Sequence, residues 1–424
     1  MSRTSLKLDI NDLNVPRKQI ATRDLAIGMH VQELDRPWLE TPFLFQGFTL
    51  DKQEEIETLQ ELCDFVYITQ ATDTGAGSNQ STSPASRSAG QTDLTRVLNL
   101  PHRVTYRDEA PVEEELEPAR ALYRECHDTV EVLFDSVREG RAIEAAVVKE
   151  TVNGVVGSVL RNPDAFMLLR MMKSKESYSY SHAIDSCALV SAFCRHLGFP
   201  KNELEDIAFG ALILDVGILK VPDDILNTEG RLSKAAIILV REHVSHGVEI
   251  LKNSRDIPPT SIEMVATHHE RINGKGYPNG LAGSQIPVSG RIAAIVDCYD
   301  AMTSKRPYKI PKSPHEAVNE LYKWRNIDFQ DELVEQFIQC LGIYPTGTLV
   351  EMNTGQIGIV LSQNRIRRLF PKILLIHNAD NIPYEKPHTL DLWEYAQKNK
   401  GHSLEIRRAL EPSQAGIDPG DYYL

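Results

Sequence analysis

The sequence has no uninterrupted apolar run near the eighteen residues that a bilayer span needs, so no membrane-crossing helix is expected. Its opening, MSRTSLKLDIND, lacks the apolar segment of a secretory signal, and a cytoplasmic protein is expected. The cysteines are few and scattered. Cys63, Cys126, Cys187, Cys194, Cys298 and Cys340 form no C-x-x-C pair and read as reduced, mostly buried thiols. Positive charge is in deficit, with 46 Lys and Arg against 59 Asp and Glu. The net charge of −13 repels phosphate backbones over most of the surface, which argues against duplex nucleic acid as a partner. A small phosphorylated ligand stays compatible, provided a local cationic patch receives it. The 424 residues are 42% hydrophobic and 25% charged, which excludes wholesale disorder and allows two or three domains.

The expected fold is mainly α: an all-helical bundle core with a small α+β module before it and a short β-rich extension after it. The module covers residues 1–70, a flexible linker 71–110, the helical domain 111–345 with its innermost part at 175–340, and the extension 346–424. In the module, Ile20 to Leu25, His30 to Leu34, Phe43 to Leu50 and Phe65 to Thr69 have strand composition. Between them, the stretch from Asp51 to Leu62 keeps Ile56, Leu59 and Leu62 at helical spacing. No catalytic cluster falls there, so a regulatory or protein-interaction role is expected. From Ala71 to Thr92 there is no large apolar residue, and ordering such a segment costs entropy with no burial in return. Helical patterning then runs to about Ile343, interrupted at Asn162-Pro163, Gly198-Phe199-Pro200, the Pro222 region, Gly274 to Pro287 and Pro307 to Pro314. After Tyr344, Thr348 to Met352, Ile357 to Leu361 and Phe370 to Ile376 read as short strands.

Asp215 is the most informative residue, the one charge in the apolar run from Ile207 to Leu219. An unpaired buried carboxylate costs several kcal/mol, so Asp215 must be paired, protonated or bound to a cation. Partners are available on neighbouring predicted helices. His182 lies in the first turn of a helix from Ser181 to Leu197, and His243 and His246 sit on one that begins near Ser233. His268 and His269 close a helix from Thr260, and Asp297 interrupts the apolar run from Ile292 to Asp300. Imidazole with carboxylate suits iron, manganese or zinc-type ions. Adjacent helical residues point about 100° apart, so His268 and His269 are expected not to serve one ion equally.

Several ordered motifs carry a family resemblance over roughly Tyr178 to Gln339. Tyr178-Ser-Tyr-Ser-His182, Val221-Pro-Asp-Asp-Ile-Leu226, Gly230-Arg-Leu-Ser233 and His243-Val-Ser-His-Gly247 precede His268-His-Glu-Arg-Ile-Asn-Gly-Lys-Gly-Tyr-Pro278. Asp297-Cys-Tyr-Asp-Ala-Met-Thr-Ser-Lys-Arg-Pro-Tyr-Lys309 closes the series. Together they resemble the HD-GYP domains, metal-dependent phosphohydrolases that act on the bacterial second messenger cyclic di-GMP. The N-terminal module is similar to a small domain of unknown function often found ahead of such cores.

The resemblance implies a divalent metal, iron or manganese, with at most two ions. One would be held by His182, Asp215 and Asp297, and a second by Asp215 as bridge with His243 and His268, with His269, also a candidate ligand, nearby. It also implies catalytic roles for Asp215, Asp300, Arg306 and Lys309, with Arg306 and Lys309 neutralising substrate phosphate. Gly276, Tyr277 and Pro278 would lie against a guanine, and a homodimer is compatible. Four positions depart from the family pattern, and all are expected to remove charge or ligands from one site: Leu214 replaces the first residue of the His-Asp pair, Ile218 a lysine, Asn273 an aspartate, and Tyr178 stands where a glutamate marks a three-metal subgroup. Three readings follow: an active phosphodiesterase with an atypical site, a cyclic di-GMP or protein binder without turnover, and a hydrolase of another phosphorylated nucleotide.

Overall fold

A computed structural model describes residues 17–35, 48–50, 53–69, 103–172, 178–226, 228, 232–304, 311–365, 367–399 and 404–422. The chain divides into two compact units, Met1–Asp93 and Leu94–Leu424.

In the first unit, β1 (Arg17–Ala21), β2 (His30–Leu34), β3 (Phe48–Thr49) and β4 (Phe65–Thr69) form an antiparallel sheet in the order β1-β4-β2-β3. The helix α1 (Gln53–Leu62) turns Ile56 and Leu59 onto Val31 and Val66 of the sheet. The strand expected over Ile20 to Leu25 stops at Ala21. A 3₁₀ turn, Thr22–Asp24, follows, pinned where the Thr22 hydroxyl donates to the Cys63 carbonyl at 2.8 Å. Of the strand expected over Phe43 to Leu50, only Phe48–Thr49 is a strand, and residues 43–47 lie outside the described ones. The linker expected at 71–110 also lies outside them up to residue 102.

The second unit is the helical bundle with its β extension. Residues 103–110, expected to be linker, instead pack on the bundle: Arg103 Nε donates to the Leu197 carbonyl at 2.8 Å and the Tyr106 hydroxyl to the Phe199 carbonyl at 2.9 Å. The long helix α2 (Val112–Arg138) buries Ala119, Tyr123, Cys126, Val130, Phe134 and Val137, one apolar stripe at three- and four-residue spacing. It is joined to α3 (Ala145–Arg161) by the two-pronged contact of Arg161 with Glu115, both bonds at 2.8 Å. The chain breaks at Asn162, whose side chain accepts from Asp164 N at 2.9 Å, and Pro163 opens α4 (Pro163–Met171). Gly198, at φ +82°, turns the chain from α5 (Tyr178–Leu197) into α6 (Lys201–Leu212).

Almost every described side chain of α5 from Tyr180 onward is buried, which makes it the central helix of the bundle. A 3₁₀ turn, Val216–Lys220, and a short α7 (Asp223–Leu226) follow α6. The single helix expected from Ser233 through His246 is two helices, α8 (Lys234–Arg241) and α9 (His243–Lys252). Ser233 caps the first, accepting from Ala236 N at 3.1 Å. Then come α10 (Pro259–Thr267), α11 (Val288–Thr303), α12 (Pro314–Trp324) and α13 (Asp331–Leu341). The breaks expected at Gly274 to Pro287 and before Pro314 fall between these helices.

The extension is a five-stranded antiparallel sheet in the order β8-β7-β6-β5-β9. Its strands β5 (Leu349–Met352), β6 (Ile357–Ser362) and β7 (Lys372–His377) answer the three expected ones. The edge strands β8 (Pro383–Asp391) and β9 (Ile406–Leu410) escaped the sequence reading, because β8 contains two prolines and is mostly exposed, and β9 places two arginines in its middle. No helix among the described residues is long and apolar enough to cross a membrane.

Candidate metal centre

Five segments deliver the donors: α5 carries His182, the turn after α6 Asp215, α9 His243, the end of α10 His268 and His269, and α11 Asp297. Backbone contact between two glycines sets the spacing. A Cβ on Gly217 would stand 1.9 Å from the His243 carbonyl oxygen and 2.4 Å from Gly247 N. Only glycine lets the 3₁₀ turn approach α9 so closely, and that approach puts Asp215 beside His243.

The Asp215 carboxylate is shared between two groups of donors. Its Oδ1 lies 3.3 Å from His243 Nε2 and 3.4 Å from His268 Nε2, and its Oδ2 lies 3.3 Å from His182 Nε2. His182 Nε2 is also 3.6 Å from Asp297 Oδ1, and His269 Nδ1 is 3.7 Å from Asp297 Oδ2. The ligand atoms of Asp215, His243, His268 and His269 all fall within 4.8 Å of one another, and so do those of His182, Asp215 and Asp297. His268 and His269 fall in one group but face different carboxylates, His268 that of Asp215 at 3.4 Å and His269 that of Asp297 at 3.7 Å. The helix ends at Thr267, and the two rings lie 4.1 Å apart between centroids, tilted by 42°. His246 belongs to neither group.

The tautomers explain why a cation fits. Carbonyl and carboxylate oxygens only accept hydrogen bonds. His243 Nδ1 therefore donates to the Val240 carbonyl at 2.7 Å, His268 Nδ1 to the Val265 carbonyl at 2.8 Å, and His182 Nδ1 to Asp300 Oδ2 at 2.7 Å. In the neutral state each imidazole then turns its Nε2 lone pair toward Asp215. His243 Nε2 and His268 Nε2 stand 3.4 Å apart, and Asp215 Oδ1 is fully buried with no hydrogen bond among the described residues. Lone pairs meeting head-on in a buried space are stable only around a positive charge, and imidazole nitrogen with carboxylate oxygen is a donor set for first-row divalent ions. The site is open on one side: the Asp215 side chain keeps 30% of its accessibility while that of His268 keeps none.

Titration follows the same geometry. Burial pushes the Asp215 carboxyl up, but contacts from His182, His243 and His268 outweigh it and hold the group well below the usual carboxylate range. Burial pulls the His243 imidazole down, and Asp215 more than reverses this. Burial and the neighbouring His268 leave His269 well below an ordinary histidine.

Behind the donors stands a second set of residues that the sequence reading assigned otherwise or missed. Asp300, expected to be catalytic, is wholly buried and faces His182 and Arg170, so it orients the imidazole from behind. Arg170 closes the chain at 2.6 Å from Asp300 and 3.6 Å from Asp185; burial pushes the Asp300 carboxyl up, but Arg170 and His182 together outweigh it and hold the group far below its usual range. Glu270, 1% exposed, accepts from Asn279 N at 2.8 Å and Leu281 N at 2.9 Å and so clamps the Gly276-Tyr277-Pro278 loop. Gly276 must lack a side chain, since its Cβ would meet the Glu270 Cα at 2.4 Å. The Tyr277 ring stacks beside His269 at 4.6 Å. A charge placed between two histidines and a glycine-rich turn was the signal for Glu270. Arg170, in contrast, lies outside every motif.

The departures separate on inspection. Leu214 is 2% exposed and offers no donor, and Ile218 is part-buried on the 3₁₀ turn. Asn273 does not subtract a ligand. Its amide donates to Asp328 at 2.8 Å and its oxygen accepts from Lys275 N at 2.9 Å, so an aspartate there would oppose Asp328. Tyr178 opens α5, but its side chain, like Arg306, Lys309 and part of the Gly230 to Ser233 motif, lies outside the described residues. Cys187 is a core thiol raised by burial, and Cys298 is part-buried.

Known proteins match in the same places. Residues 167–330 match the family described as the HD domain, and residues 17–148 match a domain of unknown function. A cyclic di-GMP phosphodiesterase of Pseudomonas aeruginosa is 34% identical over 386 residues, covering 90% of this chain and 91% of that protein. The chain belongs to the HD-GYP family. Other relatives match shorter stretches of the chain. A 3'3'-cGAMP-specific phosphodiesterase of Vibrio cholerae is 33% identical over 43% of this chain and 38% of its own length. A cyclic di-GMP phosphodiesterase of Thermotoga maritima is 36% identical over 36% of this chain and 41% of its own length.

Proposed function

We propose that the helical domain hydrolyses a phosphodiester bond of a cyclic dinucleotide, cyclic di-GMP, with the help of two divalent ions, iron or manganese. The observation that carries this reading is the division of Asp215 between two donor groups in which the Nδ1 hydrogens of His182, His243 and His268 are committed elsewhere. His182, Asp215 and Asp297 would hold one ion, and Asp215, His243, His268 and His269 the other. Bound ions of this kind supply Lewis acidity that makes water nucleophilic near neutral pH and offsets charge building at phosphorus.

The protein's own residues do the rest. Asp300 and Arg170 fix the His182 ring, and the carbonyls of Val240 and Val265 fix those of His243 and His268. Glu270 holds the loop that offers Tyr277 to a base. Arg306 and Lys309 are assigned to substrate phosphate on the family resemblance, and the module before the helical domain to regulation or a protein partner.

A second reading, binding without turnover, is favoured by Leu214, which puts apolar bulk where the family has an imidazole. The two are separated by anaerobic purification, metal analysis and a cyclic di-GMP turnover assay with added manganese or iron. Turnover that is abolished in Asp215→Ala supports hydrolysis. Tight binding with no product, and gain of product in Leu214→His, supports the second reading.

A further inference from the structure

We propose that Arg241 sets substrate specificity by binding the phosphodiester of a cyclic dinucleotide that is not at the metal ions, an inference that rests on the function proposed above. Arg241 is the last residue of α8, exposed, two positions before His243. Its guanidinium lies 4.7 Å over the Tyr277 ring, and that ring stands 4.6 Å from the His269 ring and 6.5 Å from the His243 ring. The charge is therefore one aromatic ring removed from two of the candidate ligands. It makes no ion pair among the described residues. Arg271, nearby in sequence to the same loop, is by contrast spent on the carbonyls of His268 and Glu270 at 3.2 and 2.9 Å and on the Phe329 ring.

A guanidinium resting on an aromatic face is held in one place while its N–H edge stays available, which suits two-pronged contact with a phosphodiester. The support is itself fixed, because Glu270 clamps the loop that carries Tyr277. Ile218 adds the chemical need. Where the family has a lysine, this chain has no charge, and its net charge of −13 disfavours an anion approaching without local compensation. The 3₁₀ turn that carries Ile218 touches the start of α9 through Gly217, and Arg241 lies two positions before that start. The missing cation is restored from the adjoining segment.

The test uses the full chain loaded with manganese. Cyclic di-GMP affinity is measured by equilibrium titration, and hydrolysis of bis(p-nitrophenyl) phosphate, which has one phosphodiester, is measured beside it. Arg241→Gln is expected to weaken cyclic di-GMP binding about 10- to 100-fold, with metal content and the single-phosphodiester rate unchanged. Arg241→Lys should fall between, and Ile218→Lys in the Arg241→Gln background should recover part of the loss. Unchanged affinity in Arg241→Gln overturns this inference alone. Parallel loss of metal and of the simple activity assigns Arg241 a structural role and overturns it too. A metal-loaded wild type without affinity for cyclic di-GMP overturns both the inference and the function on which it rests.

Discussion

Asp300 and Asp297 are three residues apart on one buried helix face, yet they do different work. Asp297 stands among the lone pairs at the open side, whereas Asp300 is sealed behind His182 with Arg170 as its counter-ion. A carboxylate behind a ligating imidazole raises its basicity and holds its tautomer. Asp300→Asn keeps the shape but removes the charge. It is expected to lower manganese affinity about 10- to 100-fold in a metal titration, and unchanged affinity would refute the orienting role. In sequence the two aspartates looked alike, because a lone charge in an apolar run signals burial and says nothing of which atom it will face. Asp215 was legible for that reason. Arg170 was not, since an arginine near the end of a helix is normally solvated.

At the scale of elements, the crossing of the 3₁₀ turn over α9 holds the centre together. Gly217→Ala would drive a methyl group into the His243 backbone, and that backbone cannot yield without moving a candidate ligand. Overpacking of this kind costs at least about 1–3 kcal/mol. The variant should show a loss of that size in chemical denaturation together with reduced metal content. Gly157→Ala is the control. It lies on α3 with only the end of the Arg161 side chain within 4 Å, and should be neutral or stabilising by up to about 1 kcal/mol. The division of the helix expected from Ser233 belongs to the same scale. Periodicity runs on through Glu242, but the His243 side chain takes the Val240 carbonyl and the chain starts a new axis. Strand β8 was missed for the opposite reason: its pairing with β7 is long-range, while its own composition is that of a loop.

Across the second unit as a whole, the β extension is locked to the bundle by an ion pair between a half-buried arginine and a buried aspartate. Arg365 lies 3.1 Å from Asp164 on α4 and donates to the Cys340 carbonyl at 3.1 Å, while Gln363 N and Thr346 complete the shell around Asp164. Burial raises the Asp164 carboxyl, and Arg365 opposes that rise. Removing one partner of such a pair strands the other's charge, so Arg365→Met is expected to cost about 3–5 kcal/mol. Thermal unfolding should report it, metal content should not change, and Asp164→Asn in the same background should recover part of the loss. A variant as stable as wild type would mean that the sheet docks through its apolar face alone.

The sequence by itself determined the helices, most of the strands, the order of the donors and the family to which they belong, because these depend on local periodicity and on short motifs. Tertiary structure alone decided which nitrogen of each histidine turns inward, that His268 meets Asp215 while His269 meets Asp297, that Asp300 stands behind His182 and Asn273 away from the donors, and that Arg241 lies over Tyr277. Those outcomes depend on contacts between segments far apart in the chain, governed by how closely two backbones can approach at Gly217 and where each buried hydrogen can be donated. No local pattern encodes that distance.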